Sequence, residues 1–173
     1  MTPKHDYNCI ALYLFYSRLF GYVWYLLLTS SEIRTISNTS RDSYRQDRFC
    51  ESFDASDWKS EVEKIVKLHF RELTLLMSYI KYNYNKMPSG CVALFNRYNL
   101  MGLYCLGTLS PFRGQGIAKN MIKKSLRVAR QENLDFLFLQ TFDKEGLIKF
   151  YKRMGFQIAY NKKIYVLYNN RLK

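Results

Sequence analysis

The stretch Leu106-Gly107-Thr108-Leu109-Ser110-Pro111-Phe112-Arg113-Gly114-Gln115-Gly116-Ile117-Ala118-Lys119 constrains this chain more than any other. An apolar, strand-like run ends in a tight glycine turn, and an amphipathic helix starts at once. Gly114 and Gly116 permit positive φ and let backbone N–H groups approach a ligand closely. The helix that follows turns its unpaired N–H groups and the positive end of its dipole to the same place. This is the layout of a phosphate cradle.

Elimination narrows the ligand. A Walker loop ends in Gly-Lys-Ser/Thr, which this turn lacks. A dinucleotide fingerprint needs a third glycine where Lys119 stands and an acidic residue about twenty positions on, where Gln140 and Thr141 lie. Arg113, Gly116 and Ala118 instead write Arg-x-x-Gly-x-Ala. Downstream, Phe150-Tyr151-Lys152-Arg153-Met154-Gly155-Phe156 writes Phe-Tyr-x-x-x-Gly-Phe. With both motifs in order and a strand-like run between them, the sequence resembles the GNAT superfamily of N-acetyltransferases over residues 54–168.

That resemblance implies an α+β fold of the three-layer type: a mixed, mostly antiparallel central sheet flanked by helices, the GNAT-like acyl-CoA N-acyltransferase fold. It implies acetyl-CoA as the acetyl donor, no metal, and a primary amine as acceptor on a small molecule, a protein or an aminoacyl group. Carried over position by position, Arg113 and the backbone N–H groups of Gly114, Gln115, Gly116, Ile117, Ala118 and Lys119 hold the pyrophosphate. Main-chain groups of Leu106, Gly107 and Thr108 hold the pantetheine, and an N–H freed at a bulge polarises the thioester carbonyl. Gly107 fits there, because a glycine inside a strand marks a bulge or a close backbone approach. Tyr151 matches the tyrosine that protonates the leaving thiolate; a phenol with a pKa near ~10 keeps its proton at neutral pH.

The general base stays open. Several relatives carry a glutamate at the end of the central strand, where this chain has Gln140; Asp143, Glu145, Glu72 and His69 are the substitutes at hand. Ser110 stands where family members commonly have proline, with Pro111 one residue later, and Lys144 replaces a common asparagine. The alternative to an enzyme is a non-catalytic GNAT-like module that binds the coenzyme or RNA.

Charge bears on partners. Residues 113–173 hold fourteen Lys and Arg against four Asp and Glu, which is ten of the thirteen surplus positive charges of the chain. A basic field suits polyanionic coenzyme A, and its excess leaves an acidic or nucleic-acid partner open. The sequence leaves homodimer formation open as well. Cys9, Cys50, Cys91 and Cys105 make no C-x-x-C pair and no metal-ligand spacing. Scattered cysteines without a cleavable leader are expected as free thiols in a reducing cytoplasm.

The elements expected before the loop begin with residues 1–53, an apolar segment and a polar connection packed on or part of the same domain as 54–173. Cys9 to Leu28 is long enough to span a bilayer, but Arg18 near its middle and the scattered tyrosines argue for one or two buried strands or a core helix. Ser37 to Ser40 reads as loop. Trp58, Val62, Ile65, Val66 and Phe70 recur at helical spacing over Asp57–Arg71. Three strands follow, over 75–83, 87–95 and 100–109, with turns at Asn83–Lys86 and Asn96–Asn99. After the loop come a helix over 116–131 with Asn133 as its stop and a buried strand over 134–140. A helix over 145–154 stopped by Gly155 is next, then a closing hairpin over 156–168 turning at Asn161-Lys162-Lys163.

Overall fold

The fold was obtained as a computed structural model, which describes residues 5–15, 32–36, 64, 68, 73–82, 85–142 and 146–166. His69, Glu72, Asp143, Lys144, Glu145 and the Ser37–Ser40 loop lie outside these residues. So does the helix expected over 57–71, apart from Lys64 and Leu68, both of which are helical. Apart from those two helical residues, the described residues form seven strands and two α-helices, the α+β class expected, in two compact units.

The larger unit, Tyr16–Leu137, holds four strands that neighbour one another in chain order. These are β2 (Glu32–Ile36), β3 (Leu73–Tyr82), β4 (Asn85–Arg97) and β5 (Leu100–Thr108), each pair antiparallel. Leu75, Leu76 and Met77 are buried in succession, as are Cys91, Val92, Ala93 and Leu94, so β3 and β4 are covered on both faces. The second turn is tighter than expected. Arg97 pairs with Leu100, which leaves a two-residue connection, Tyr98-Asn99, with Tyr98 at φ 55°.

At the edge, β2 carries Glu32, whose carboxylate accepts from Arg34 Nε at 2.6 Å and from Lys86 Nζ. The bond from Arg34 and then that from Lys86 hold Glu32 down to about 2. A charged edge strand of this kind resists pairing with another sheet.

Helix α1 (Ile117–Gln131) lies on β3, β4 and β5. Its buried stripe is Ile117, Met121, Ile122, Ser125 and Ala129, with Lys119, Lys123, Lys124, Arg127 and Arg130 on the remaining positions. Each fully buried aliphatic side chain of that stripe contributes roughly 1.5–3 kcal/mol. Ser125 returns its hydroxyl to the Met121 carbonyl at 2.8 Å, which satisfies it inside the core. The helix stops where expected. Asn133 takes φ 57°, its N–H reaches Arg130 O at 3.0 Å, and the Leu134 N–H reaches Ala129 O at 2.9 Å. That pair of bonds is a Schellman motif.

The smaller unit, Met1–Phe15 with Phe138–Lys173, holds β1 (His5–Phe15), most of β6 (Phe136–Phe142), α2 (Leu147–Arg153) and β7 (Gln157–Val166). Its core includes Ile10, Ala11, Leu12, Leu139, Tyr151 and Phe156. Strand β1 resolves part of the apolar N-terminal segment as strand. Residues 16–28 of that segment lie outside the description. Among the described residues no helix is long and apolar enough to cross a membrane.

The closing hairpin is corrected. Asn161, Lys162 and Lys163 lie within one continuous strand, paired with Ile10, Cys9 and Asn8 of antiparallel β1. Turn-favouring composition yields here to a partner strand that supplies the ladder hydrogen bonds. Strand β6 also starts two residues later than expected, because the Schellman motif uses Leu134 and because Asp135 is tied by its N–H to Asn99 O at 3.0 Å.

Candidate functional site

All ten expected coenzyme contacts fall on one continuous segment of the larger unit: the end of β5, a 3₁₀ turn at Ser110–Phe112, and the start of α1. Gly114 and Gly116 take φ 78° and 76°, as a cradle requires. Gly116 is the N-cap residue of α1. Among the described residues no side chain caps that end, and the first turn carries no acidic residue. The N–H groups of Gly116, Ile117 and Ala118 therefore have no i−4 carbonyl within the helix, and no helix carboxylate competes for the dipole. Such an end fits a pyrophosphate.

The turn is tied from behind. The Leu109 N–H donates to Ser89 O at 2.9 Å, Phe112 N–H to Leu109 O at 2.9 Å, and Arg113 N–H to Ser110 O at 3.3 Å. Arg113 Nε also folds back onto Thr108 O at 3.1 Å, so the motif arginine holds the strand end as well as lying at the exposed rim. Thr108 Oγ1 is buried with no hydrogen-bond partner among the described residues.

Support comes from two residues that sequence reasoning passed over. Ser89 is fully buried and donates to Ser78 O at 3.0 Å, beside an irregularity in the β3–β4 register. A Cβ added to neighbouring Gly90 would stand 2.6 Å from Gly107 O, 2.9 Å from Met121 Cε and 3.1 Å from Ile117 Cγ2. Gly90 thus lets β4, the end of β5 and the first turn of α1 meet. A glycine inside a strand was the available signal.

The bulge falls just before Gly107, whose own carbonyl is closely approached by Gly90. Gly107 pairs with Cys91 and Tyr104 with Ala93, so Cys105 and Leu106 oppose Val92 alone. Cys105, not Gly107, takes the positive φ, at 54°. An extra residue of this kind breaks the ladder and re-aims the backbone groups on either side. Cysteine carries no turn signal, which is why the sequence did not mark it. Cys91 Sγ donates to Cys105 O at 3.7 Å.

In the smaller unit, α2 ends in a second Schellman motif. Gly155 at φ 92° donates to Lys152 O at 3.0 Å and Phe156 to Tyr151 O at 3.1 Å. The rings of Tyr151 and Phe156 meet edge to face at 5.7 Å, with Phe150 against Tyr151 at 5.2 Å. The Phe-Tyr-x-x-x-Gly-Phe motif is thus a helix stop with its hydrophobic clasp. Burial pushes the Tyr151 phenol above its ordinary pKa. On exposed Gln140 the amide donates from Nε2 to Tyr160 Oη at 2.9 Å. Of the four substitute bases, none lies among the described residues.

Comparison with known proteins agrees. Residues 34–156 match the profile of the acetyltransferase (GNAT) family, starting well before the stretch over which motifs were legible. A curated relative, "Probable N-acetyltransferase san" of Drosophila melanogaster, is 36% identical over 88 residues, which is 47% of this chain and 48% of that protein. The chain thus spans about half the length of that relative. Among solved structures, a GCN5-related N-acetyltransferase from Sphaerobacter thermophilus superposes with a TM-score of 0.73 at 13% identity, over 92% of this chain and 50% of the other. The IAA acetyltransferase of Bacillus cereus does so with a TM-score of 0.55 at 14% identity, over 72% and 75%. Glycine cradle, uncapped helix and profile point the same way: this chain belongs to the GNAT acetyltransferase family.

Proposed function

We propose that the protein is an N-acetyltransferase that moves the acetyl group of acetyl-CoA to a primary amine. The observation that carries this reading is the open N-terminus of α1, where Gly116 at positive φ caps a first turn without an acidic residue. In this reading Arg113 and the N–H groups of residues 114–119 hold the pyrophosphate, and the main chain of Leu106, Gly107 and Thr108 holds the pantetheine. Thr108 Oγ1, buried and unpartnered among the described residues, suits a polar atom of that arm. The bulge at Cys105–Leu106 supplies the re-aimed backbone donor for the developing oxyanion. Bound acetyl-CoA supplies the activated thioester; the amine must arrive neutral.

Tyr151 is proposed as the proton donor to the leaving thiolate, on the strength of its motif position. Its raised pKa keeps the donor form present above the usual phenol range. Tyr151→Phe is expected to leave the acetyl-CoA Kd within about twofold and to lower kcat by about 10²-fold or more. Unchanged kcat would reduce Tyr151 to a packing residue. The linkage is signed: a phenol pKa raised by folding gives stability that is full below ~10 and lost as pH rises through the folded value. The alkaline limb of wild-type unfolding is therefore expected to weaken in the Phe variant.

The scattered cysteine spacing, with no C-x-x-C pair, supports a reducing, cytoplasmic setting. Calorimetric titration with acetyl-CoA, beside NAD and ATP, tests the coenzyme assignment. One-to-one binding of acetyl-CoA alone is expected, with a stability gain of about 2.7 kcal/mol at a hundredfold excess over Kd. A folded sample that binds none of the three would leave the family's fold without this activity.

A further inference from the structure

The observation starts at Gly102. A Cβ built there would lie 2.5 Å from Cε2 of Tyr104, and 3.2 Å from both its Cζ and its Oη. Residues two apart on a strand share a face, so the Tyr104 ring lies down on the bare backbone of Gly102. Opposite Tyr104 on β4 stands Ala93, another small residue. A phenol is thereby seated flat along a strand rather than free in solvent.

Its exposure is the second feature. Met101, Gly102 and Leu103 are buried, yet Tyr104 is 42% exposed. Tyr104 is the one exposed residue of β5, with Leu100, Cys105, Leu106 and Thr108 half-buried. The next residue is Cys105, at φ 54°, where the bulge begins.

Order along β5 supplies the rest, and this step depends on the coenzyme reading above. With the pyrophosphate at the head of α1 and the pantetheine along 106–108, the thioester lies at the bulge. Continuing along the strand away from the phosphates, the next side chain on the open face is Tyr104. The attacking nitrogen must approach from the side of the carbonyl that the coenzyme does not occupy.

We propose that Tyr104 is an acceptor-side residue that contacts the incoming amine. Its phenol oxygen accepts one N–H of the neutral amine, which turns the nitrogen lone pair toward the carbonyl. Gly102 is the seat that holds the ring in that position. A neutral phenol accepts and donates at once, so the hydroxyl hydrogen remains available to a second polar atom of the acceptor.

The test uses two bisubstrate conjugates, in which CoA sulfur is joined through an acetyl methylene to the nitrogen of butylamine or of glycinamide. Both place an amide N–H at the position of the attacking nitrogen. Wild-type protein is expected to bind at least one conjugate more tightly than acetyl-CoA. Tyr104→Phe is expected to weaken that conjugate about tenfold while the acetyl-CoA Kd and the unfolding midpoint stay unchanged. Gly102→Ala keeps the phenol but forces the ring to swing, and the same selective loss is expected. The double variant should be no worse than the worse single one.

A conjugate affinity unaltered in Tyr104→Phe overturns the proposal. So does a wild-type protein that binds acetyl-CoA but gains nothing from either conjugate. Failure to bind acetyl-CoA at all is a different result, and it strikes the coenzyme reading itself.

Discussion

Gly116→Glu is expected to abolish measurable acetyl-CoA binding while leaving the protein folded. Gly116 sits at φ 76°, and a non-glycine residue in the left-handed region costs roughly 1–2 kcal/mol, a tolerable loss for a chain of this size. Binding suffers more. A carboxylate placed where the pyrophosphate docks repels it by about 1–4 kcal/mol per charge pair at 4 Å, depending on solvent access. It also satisfies the helix end that the ligand would otherwise fill. A fall in affinity of about 10²- to 10³-fold is expected, read by calorimetric titration. Retained affinity in the folded variant would mean that the cradle has been assigned to the wrong ligand.

The second large effect concerns stability. Gly90→Ala is expected to destabilise by about 3 kcal/mol, the upper range for overpacking a well-filled core. The added methyl would meet a backbone oxygen, Gly107 O, at 2.6 Å, with Met121 and Ile117 closing the other sides. Side chains can rotate away; the carbonyl of a paired strand cannot move without shifting β5. At about 2–4 °C per kcal/mol, the unfolding midpoint should drop by roughly 6–12 °C. Acetyl-CoA affinity should fall as well, since the displaced strand leads into the cradle. A variant with wild-type melting behaviour would show that the three elements do not meet as closely as described.

What the sequence made legible was local. The loop was readable because positive φ at Gly114 and Gly116 and an uncapped helix start are written in a few adjacent residues. Helix α1 was readable because its apolar period recurs at Ile117, Met121 and Ala129, and both helix stops because Asn133 and Gly155 suit the left-handed conformation they adopt. What depended on distant partners was misread. Residues 161–163 look like a turn until β1 is known to lie beside them. The apolar run around Ile10–Leu12 gave no period that separates a strand from a buried helix. Gly107 marks the close approach that a strand glycine suggests, but the bulge itself falls at Cys105–Leu106, where cysteine gives no warning of the backbone it adopts. Gly102 and Tyr104 gave no sign at all, since a ring resting on a glycine is visible only in three dimensions.

The pairing of β1 with β7 also governs how the molecule comes into being. His5 through Tyr13 leave the ribosome long before their ladder partners, Val166 back to Gln157. Until the ribosome has delivered residues 157–166, Ile10, Ala11 and Leu12 have no neighbouring β7 to help cover them. Contacts of such high sequence separation close slowly, and an apolar strand waiting for its mate is prone to aggregate. The smaller unit therefore matures only once residues 157–166 have been made. A change that disturbs His5–Tyr13 therefore acts on the strand at Gln157–Val166.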